Sequence, residues 1–140
     1  MAKPGARSIL YRLIEAGQLA RRALLAPLHE RGLEAGDDAV LFLVHEQPGV
    51  AADDAAEALG LDPMSLGRRM DRLVEHGLAV RRDLGDNRMP GLLLTPRGLA
   101  ACEAIEDHWR SIEGLLVDGL RRKKRKALRR TLGEFANRMR

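Results

Sequence analysis

From Ser8 to about Arg31, apolar residues return at helical spacing. Leu10, Leu13, Ile14, Leu24, Leu25 and Leu28 fall near one face, with Gly17 and Arg21 in the same row. This pattern predicts an amphipathic helix. Pro27 lies inside it, and a proline ring removes an amide donor and crowds the preceding turn, so a kink or break is expected there. Gly32 to Gly36 interrupts the pattern. Asp37 is placed to cap a second helix carrying Val40, Leu41, Leu43 and Val44, which stops at Gln47-Pro48-Gly49. A third, short helix over about Asp53 to Leu59 would bury Ala55, Ala56 and Leu59 and close at Gly60. Asp62-Pro63 opens a fourth, which runs through Leu66, Met70, Leu73 and Val74 and stops at His76-Gly77.

Beyond that point the period changes. Leu78-Ala79-Val80 and Leu92-Leu93-Leu94 are short apolar segments around a polar stretch with two glycines and a proline, which predicts a β-hairpin. Thr95-Pro96 then starts a long helix to about Leu120. Its residues Cys102, Ile105, Trp109, Ile112 and Leu116 follow 3,4 spacing, the seam of a helix that pairs with another helix. A last helix carries Leu128, Leu132, Phe135 and Met139 on one face. The fold class is mainly α with a small β-hairpin, about six helices in one domain of 140 residues. The chain is 45% hydrophobic but only 3% aromatic. Such a core is built from Leu, Ala and Val, which suits helices packed on helices.

Charge is segregated along the chain, and this says more than the net value of +4. From Glu30 to Glu57, eight acids stand against Arg31. From Asp62 to Arg97, seven arginines face five acids, and from Arg121 to Arg140 ten bases face Glu134. The single cysteine, Cys102, excludes an intrachain disulfide, fits a cytoplasmic location and reads as a buried core thiol rather than a redox sensor. No apolar run reaches membrane-spanning length, and the N-terminus lacks a secretory apolar region. His29, His45, His76 and His108 form no pair at zinc-site spacing, so no metal and no cofactor are expected. With no phosphate-binding glycine loop and no nucleophile elbow, an enzyme is not expected either.

The informative unit runs from Asp53 to Arg97: helix, tight turn, helix, hairpin. The turn Gly60-Leu61-Asp62 has the length a helix-turn-helix needs, and such a pair presents its second helix to the major groove of DNA. That helix carries Met64 and Ser65 at its start, then Arg68, Arg69 and Arg72 on a polar arc opposite Leu66, Met70 and Leu73. Arginine pairs bidentately with guanine or clamps phosphate. The bland alternatives are a solvated arginine face and, for Arg72 or its neighbour Asp71, an internal salt bridge. The hairpin adds Arg81, Arg82 and Arg88, and an arginine in such a loop can enter the narrow minor groove. The run Arg121-Arg122-Lys123-Lys124-Arg125-Lys126 reads as a solvated turn between the last two helices.

From about Leu33 to Gly98 the chain resembles the MarR family of winged helix-turn-helix regulators. The matching string is Leu59-Gly60-Leu61, Ser65, Asp71-Arg72-Leu73, Gly77-Leu78, Arg81-Arg82, Asp86-Asn87-Arg88 and Leu94-Thr95-Pro96-Arg97-Gly98. The resemblance implies a sequence-specific duplex-binding transcriptional regulator, a repressor that binds a pseudo-palindromic operator as a homodimer. It implies that residues 8–31 and 97–140 form the helical dimerisation region and residues 33–96 the winged lobe. In the wing it gives Asp86 a bracing role and Arg88 a minor-groove role. The family's first wing arginine is absent, with Asn87 in its place, and the wing is about one residue short. Many relatives bind a small aromatic or acidic effector between the two regions. Tyr11, Arg12, His29, His45 and Trp109 are the candidates here, with simple core or surface packing as the alternative for each. A second reading stays open: a winged-helix protein-interaction module whose arginines meet a protein partner.

Overall fold

The computed structural model describes residues 7–83, 85 and 90–140. Seven helices and one hairpin follow one another among the described residues: α1 (Ile9–Ala23), α2 (Leu25–His29), α3 (Asp37–Glu46), α4 (Ala52–Leu59), α5 (Pro63–Glu75), β1 (Ala79–Arg82), β2 (Gly91–Leu94), α6 (Pro96–Val117) and α7 (Arg122–Met139). Ser8 caps α1 by accepting the Tyr11 amide at 3.1 Å. The first helix predicted over 8–31 is two helices, and they part at Leu24 rather than at Pro27. Proline at position 27 cannot donate to the Ala23 carbonyl and its ring crowds that group. The break therefore falls a turn upstream, where the Leu24 amide turns back to the Arg21 carbonyl at 3.1 Å.

Leucine builds the core. Leu28, Leu33, Leu41, Leu66, Leu73, Leu92 and Ile105 are fully buried and come from α2, the loop after it, α3, α5, β2 and α6. The seam predicted on the long helix divides. Cys102 and Ile105 are buried in this core and Ile112 is packed against it, whereas Leu116 is exposed. Neither α1 nor α7 contains a buried residue. Ile9, Leu10 and Ile14 of α1, Leu115 and Leu116 of α6, and Leu128 and Leu132 of α7 leave apolar surface uncovered. The basic run is not a turn as expected. Arg122 to Lys126 form the first turns of α7. Arg125 reaches back from there, donating to the carbonyls of Leu120 at 2.9 Å and Val117 at 3.1 Å, and so serves the end of α6.

The hairpin pairs antiparallel in the register Ala79↔Leu94 to Arg82↔Gly91. On its other edge β2 meets the chain before α4, where the Gly49 amide donates to the Leu92 carbonyl at 2.8 Å and Ala51 bridges Gly91. A side chain at Gly91 would stand 2.5 Å from the Gly49 carbonyl oxygen. The absence of a side chain at Gly91 is what lets these backbones close. Thr95 fastens the next junction: its hydroxyl donates to the Gly77 carbonyl at 2.6 Å and accepts the Gly98 amide at 3.1 Å. At Gly98 a Cβ would collide with the backbone carbonyl of Leu78.

Gly98→Ala is accordingly expected to destabilise the fold by about 1–3 kcal/mol, the usual scale of overpacking. Gly67→Ala, at a helical site with nothing within 4 Å, is expected to be stabilising by about 0.5–1 kcal/mol. Urea denaturation of both variants checks the contrast.

Candidate nucleic-acid interface

α4, the turn at residues 60–62 and α5 form the helix-turn-helix. Asp62 sets the start of α5, accepting the Ser65 amide at 2.9 Å and the Ser65 hydroxyl at 2.8 Å. These bonds, the amide first, hold the Asp62 carboxyl below its ordinary pKa. The Ser65 hydroxyl thus has its proton directed at Asp62 and offers lone pairs outward. Met64 is 70% exposed, and Arg68 is exposed with no side-chain partner among the described residues. Leu66, Met70 and Leu73 face inward and seat the helix on the core.

Arg69 and Arg72 do not join Arg68 on an open arc; they turn inward to Asp37. This carboxylate is fully buried. It takes a fork from Arg72, Nε at 2.8 Å and Nη2 at 3.1 Å, and Arg69 Nη1 at 3.3 Å. The Glu34 amide completes it at 2.8 Å, and Arg69 also donates to the Ala35 carbonyl. Asp37, read from the sequence as a simple cap, is instead the anchor of α5. The bond to Asp37 raises the pKa of the Arg72 guanidinium. Burial explains the correction: an ionised carboxylate sealed from water must be matched by charge and donors, and these two arginines are within reach.

The adjacent Asp38 is equally buried and is a residue the sequence reading missed. Arg21 of α1 donates to both of its oxygens at 2.6 Å, and the Trp109 indole of α6 donates at 3.0 Å. Successive helical residues point about 100° apart, so Asp37 serves α5 while Asp38 serves α1 and α6. Both sit in the first turn of α3, where the helix dipole favours negative charge. One signal could have found this pair: Arg21 lies in an otherwise apolar row and so needs a buried acid.

In the wing, Arg81 pairs with Asp71 of α5 and ties β1 to that helix. Both side chains are about half exposed, so the pair contributes little to stability. Arg82 is exposed on β1. Asp86, Asn87 and Arg88 lie outside the described residues.

The five effector candidates do not converge. Tyr11 is half exposed on α1, Arg12 pairs with Glu15 at 2.8 Å, and His29 stands 3.5 Å from Glu34. Only His45 and Trp109 meet, in the wall of a cavity of about 900 Å³ between α3, α4 and α6. Trp109 packs edge-on against Phe42 there, with ring centroids 4.9 Å apart. Cys102 also borders the cavity but is only 3% exposed. Burial, with Glu106 and Glu103 adding to it, pushes its thiol up to about 11. Among the described residues no group of three or more His, Cys, Asp or Glu is placed to hold a metal ion, and no helix is long and apolar enough to cross a membrane.

No protein-family model and no curated protein matches the chain. Solved structures do. A MarR-family transcriptional regulator from Rhodococcus sp. RHA1 is 25% identical with a TM-score of 0.82, covering 94% of this chain and 98% of its own. CouR from Rhodococcus jostii RHA1, bound to p-coumaroyl-CoA, is 25% identical with a TM-score of 0.84 and 96% coverage of each chain. A MarR-family regulator from Listeria monocytogenes, complexed with 26mer DNA, has a TM-score of 0.88 at 16% identity, covering 95% and 89%, and so bears on the fold alone.

Two outcomes follow from the buried groups. Asp37→Asn is expected to lower the unfolding free energy by about 3 kcal/mol, the scale for breaking one side of a buried ion pair, as read by urea denaturation. Because the Cys102 thiol stays protonated far above neutrality, the folded protein is expected to react slowly with a disulfide reagent at about pH 8 and fully only once unfolded. Rapid labelling of the native state would contradict the burial argument.

Proposed function

We propose that the chain is a winged-helix regulator of the MarR type, a repressor that binds a pseudo-palindromic operator in duplex DNA as a homodimer. The observation that carries this reading is the seating of α5. Its inner arginines are locked to Asp37, which holds Met64, Ser65 and Arg68 outward at a fixed pitch beside Arg81 and Arg82 of the wing. Arg68 reads or clamps; Arg69 and Arg72 position. Asp86, Asn87 and Arg88 extend the same edge in sequence and are proposed as wing contacts.

The dimer is supported by the uncovered leucines and isoleucines of α1, α6 and α7, surface that a second copy would remove from water. Residues 8–31 and 97–140 form this dimerisation region, and residues 33–96 form the DNA-binding lobe. A small-molecule effector releases the operator from the cavity between α3, α4 and α6. Such a ligand acts through its differential affinity for dimers with aligned and misaligned recognition helices. The regulator bound to an acyl-CoA thioester among the similar structures supports effector control of this fold.

Binding to a duplex from the chain's own upstream region, against a scrambled duplex across a salt series, tests the proposal. Selective binding at two protomers per site is expected, falling roughly a thousandfold between about 50 and 200 mM salt, because binding neutralises several phosphates and releases their counterions. Arg68→Ala is expected to cost about 1–3 kcal/mol of binding and to narrow the gap between the two duplexes. Weak, salt-insensitive binding to both duplexes would turn the reading toward a protein-interaction module.

A further inference from the structure

The cavity that borders Trp109 is negatively charged, which conflicts with an acidic occupant. Phe42 and Trp109 are among its lining side chains. Around it stand four carboxylates: Glu46 at the end of α3, Asp54 and Glu57 on α4, and Glu106 on α6. Against them the lining offers one guanidinium, Arg140, which donates to the Ala58 carbonyl at 3.3 Å. Glu106 is already paired with Arg110 at 2.9 Å. Glu46, Asp54 and Glu57 have no ion-pair partner among the described residues. The cationic groups that an acidic effector would need, Arg12 and His29, lie elsewhere on the molecule and face acids of their own.

We propose that this cavity takes a lipophilic organic cation with aromatic rings. The inference rests on the effector reading above and names the chemistry of that site. An apolar concavity with a few convergent polar groups is the usual form of a small-molecule site. Here four carboxylates outnumber one guanidinium, and a concave wall of net negative charge concentrates its field on the occupant. Aromatic side chains beside the carboxylates add attraction for a cation held near a ring face. An anion of the same shape meets repulsion from three unpaired acids. The segregation of acids between Glu30 and Glu57 thus has a use: Asp37 and Asp38 anchor helices, while Glu46, Asp54 and Glu57 charge the cavity.

Tetraphenylphosphonium and tetraphenylborate, of nearly equal shape and opposite charge, test this directly. Trp109 is the one tryptophan of the chain and lines this cavity, so its fluorescence responds to occupancy, and the variant below ties that response to the site. The full chain is expected to bind the phosphonium saturably and roughly tenfold or more tightly than the borate, given what like-charge contact costs. Net charge makes the control stringent, because a protein of +4 attracts the borate wherever binding is unspecific. In a Glu46→Gln, Glu57→Gln double variant with unchanged circular dichroism, the preference is expected to shrink several-fold. Equal or tighter borate binding, no response of Trp109 to either ion, or a preference untouched by the double variant would overturn the inference. Duplex affinity measured at saturating phosphonium separates the two proposals. A complex that holds DNA as tightly as the free protein removes the release step and leaves the ligand class supported.

Discussion

The orientation of α5 depends on one buried charge cluster. Asp37 is sealed from water and satisfied by Arg72, Arg69 and the Glu34 amide. A carboxylate in that position cannot tolerate the loss of its partners, so α5 cannot rotate freely on the core. The apolar contacts of Leu66, Met70 and Leu73 would accept several pitches of the helix, since hydrophobic burial is non-directional. The forked bond from Arg72 selects one. What faces outward, Met64, Ser65 and Arg68, follows from what is held inward.

Elements with a clear period were legible in the sequence. The leucine pattern, Asp62-Pro63 and Thr95-Pro96 gave the order of helices and the start of α5 and α6 within a residue or two. Periodicity reports which face is apolar, and caps are local chemistry, so neither needs the tertiary structure. The break at Leu24 instead of Pro27 required only the proline's reach back along the helix, applied in the right direction.

The site was less legible because charged residues carry no periodic mark of their partners. Arg68, Arg69 and Arg72 share an arc in sequence, and nothing local distinguishes the one that faces outward from the two that meet Asp37 across 32 and 35 residues. The same holds for Asp38, whose partners lie 17 and 71 residues away. Tyr11, Arg12 and His29 offer suitable side-chain chemistry, but the fold separates them from His45 and Trp109. Gly98 belongs to a motif that the sequence displayed plainly, yet its reason, a backbone carbonyl from Leu78 in the space of a side chain, exists only in three dimensions.

Asp37 and Asp38 are covalent neighbours, yet each is indexed to a different part of the molecule. One is keyed to α5, the other to α1 and α6. Turning α3 about its axis cannot improve one engagement without withdrawing the other, because the peptide bond between them fixes their angular offset. The first turn of α3 therefore works as a two-toothed gear. Any shift of α1 or α6 that drags Asp38 has its counterpart at Asp37, and Arg69 and Arg72, which hold α5, move in step.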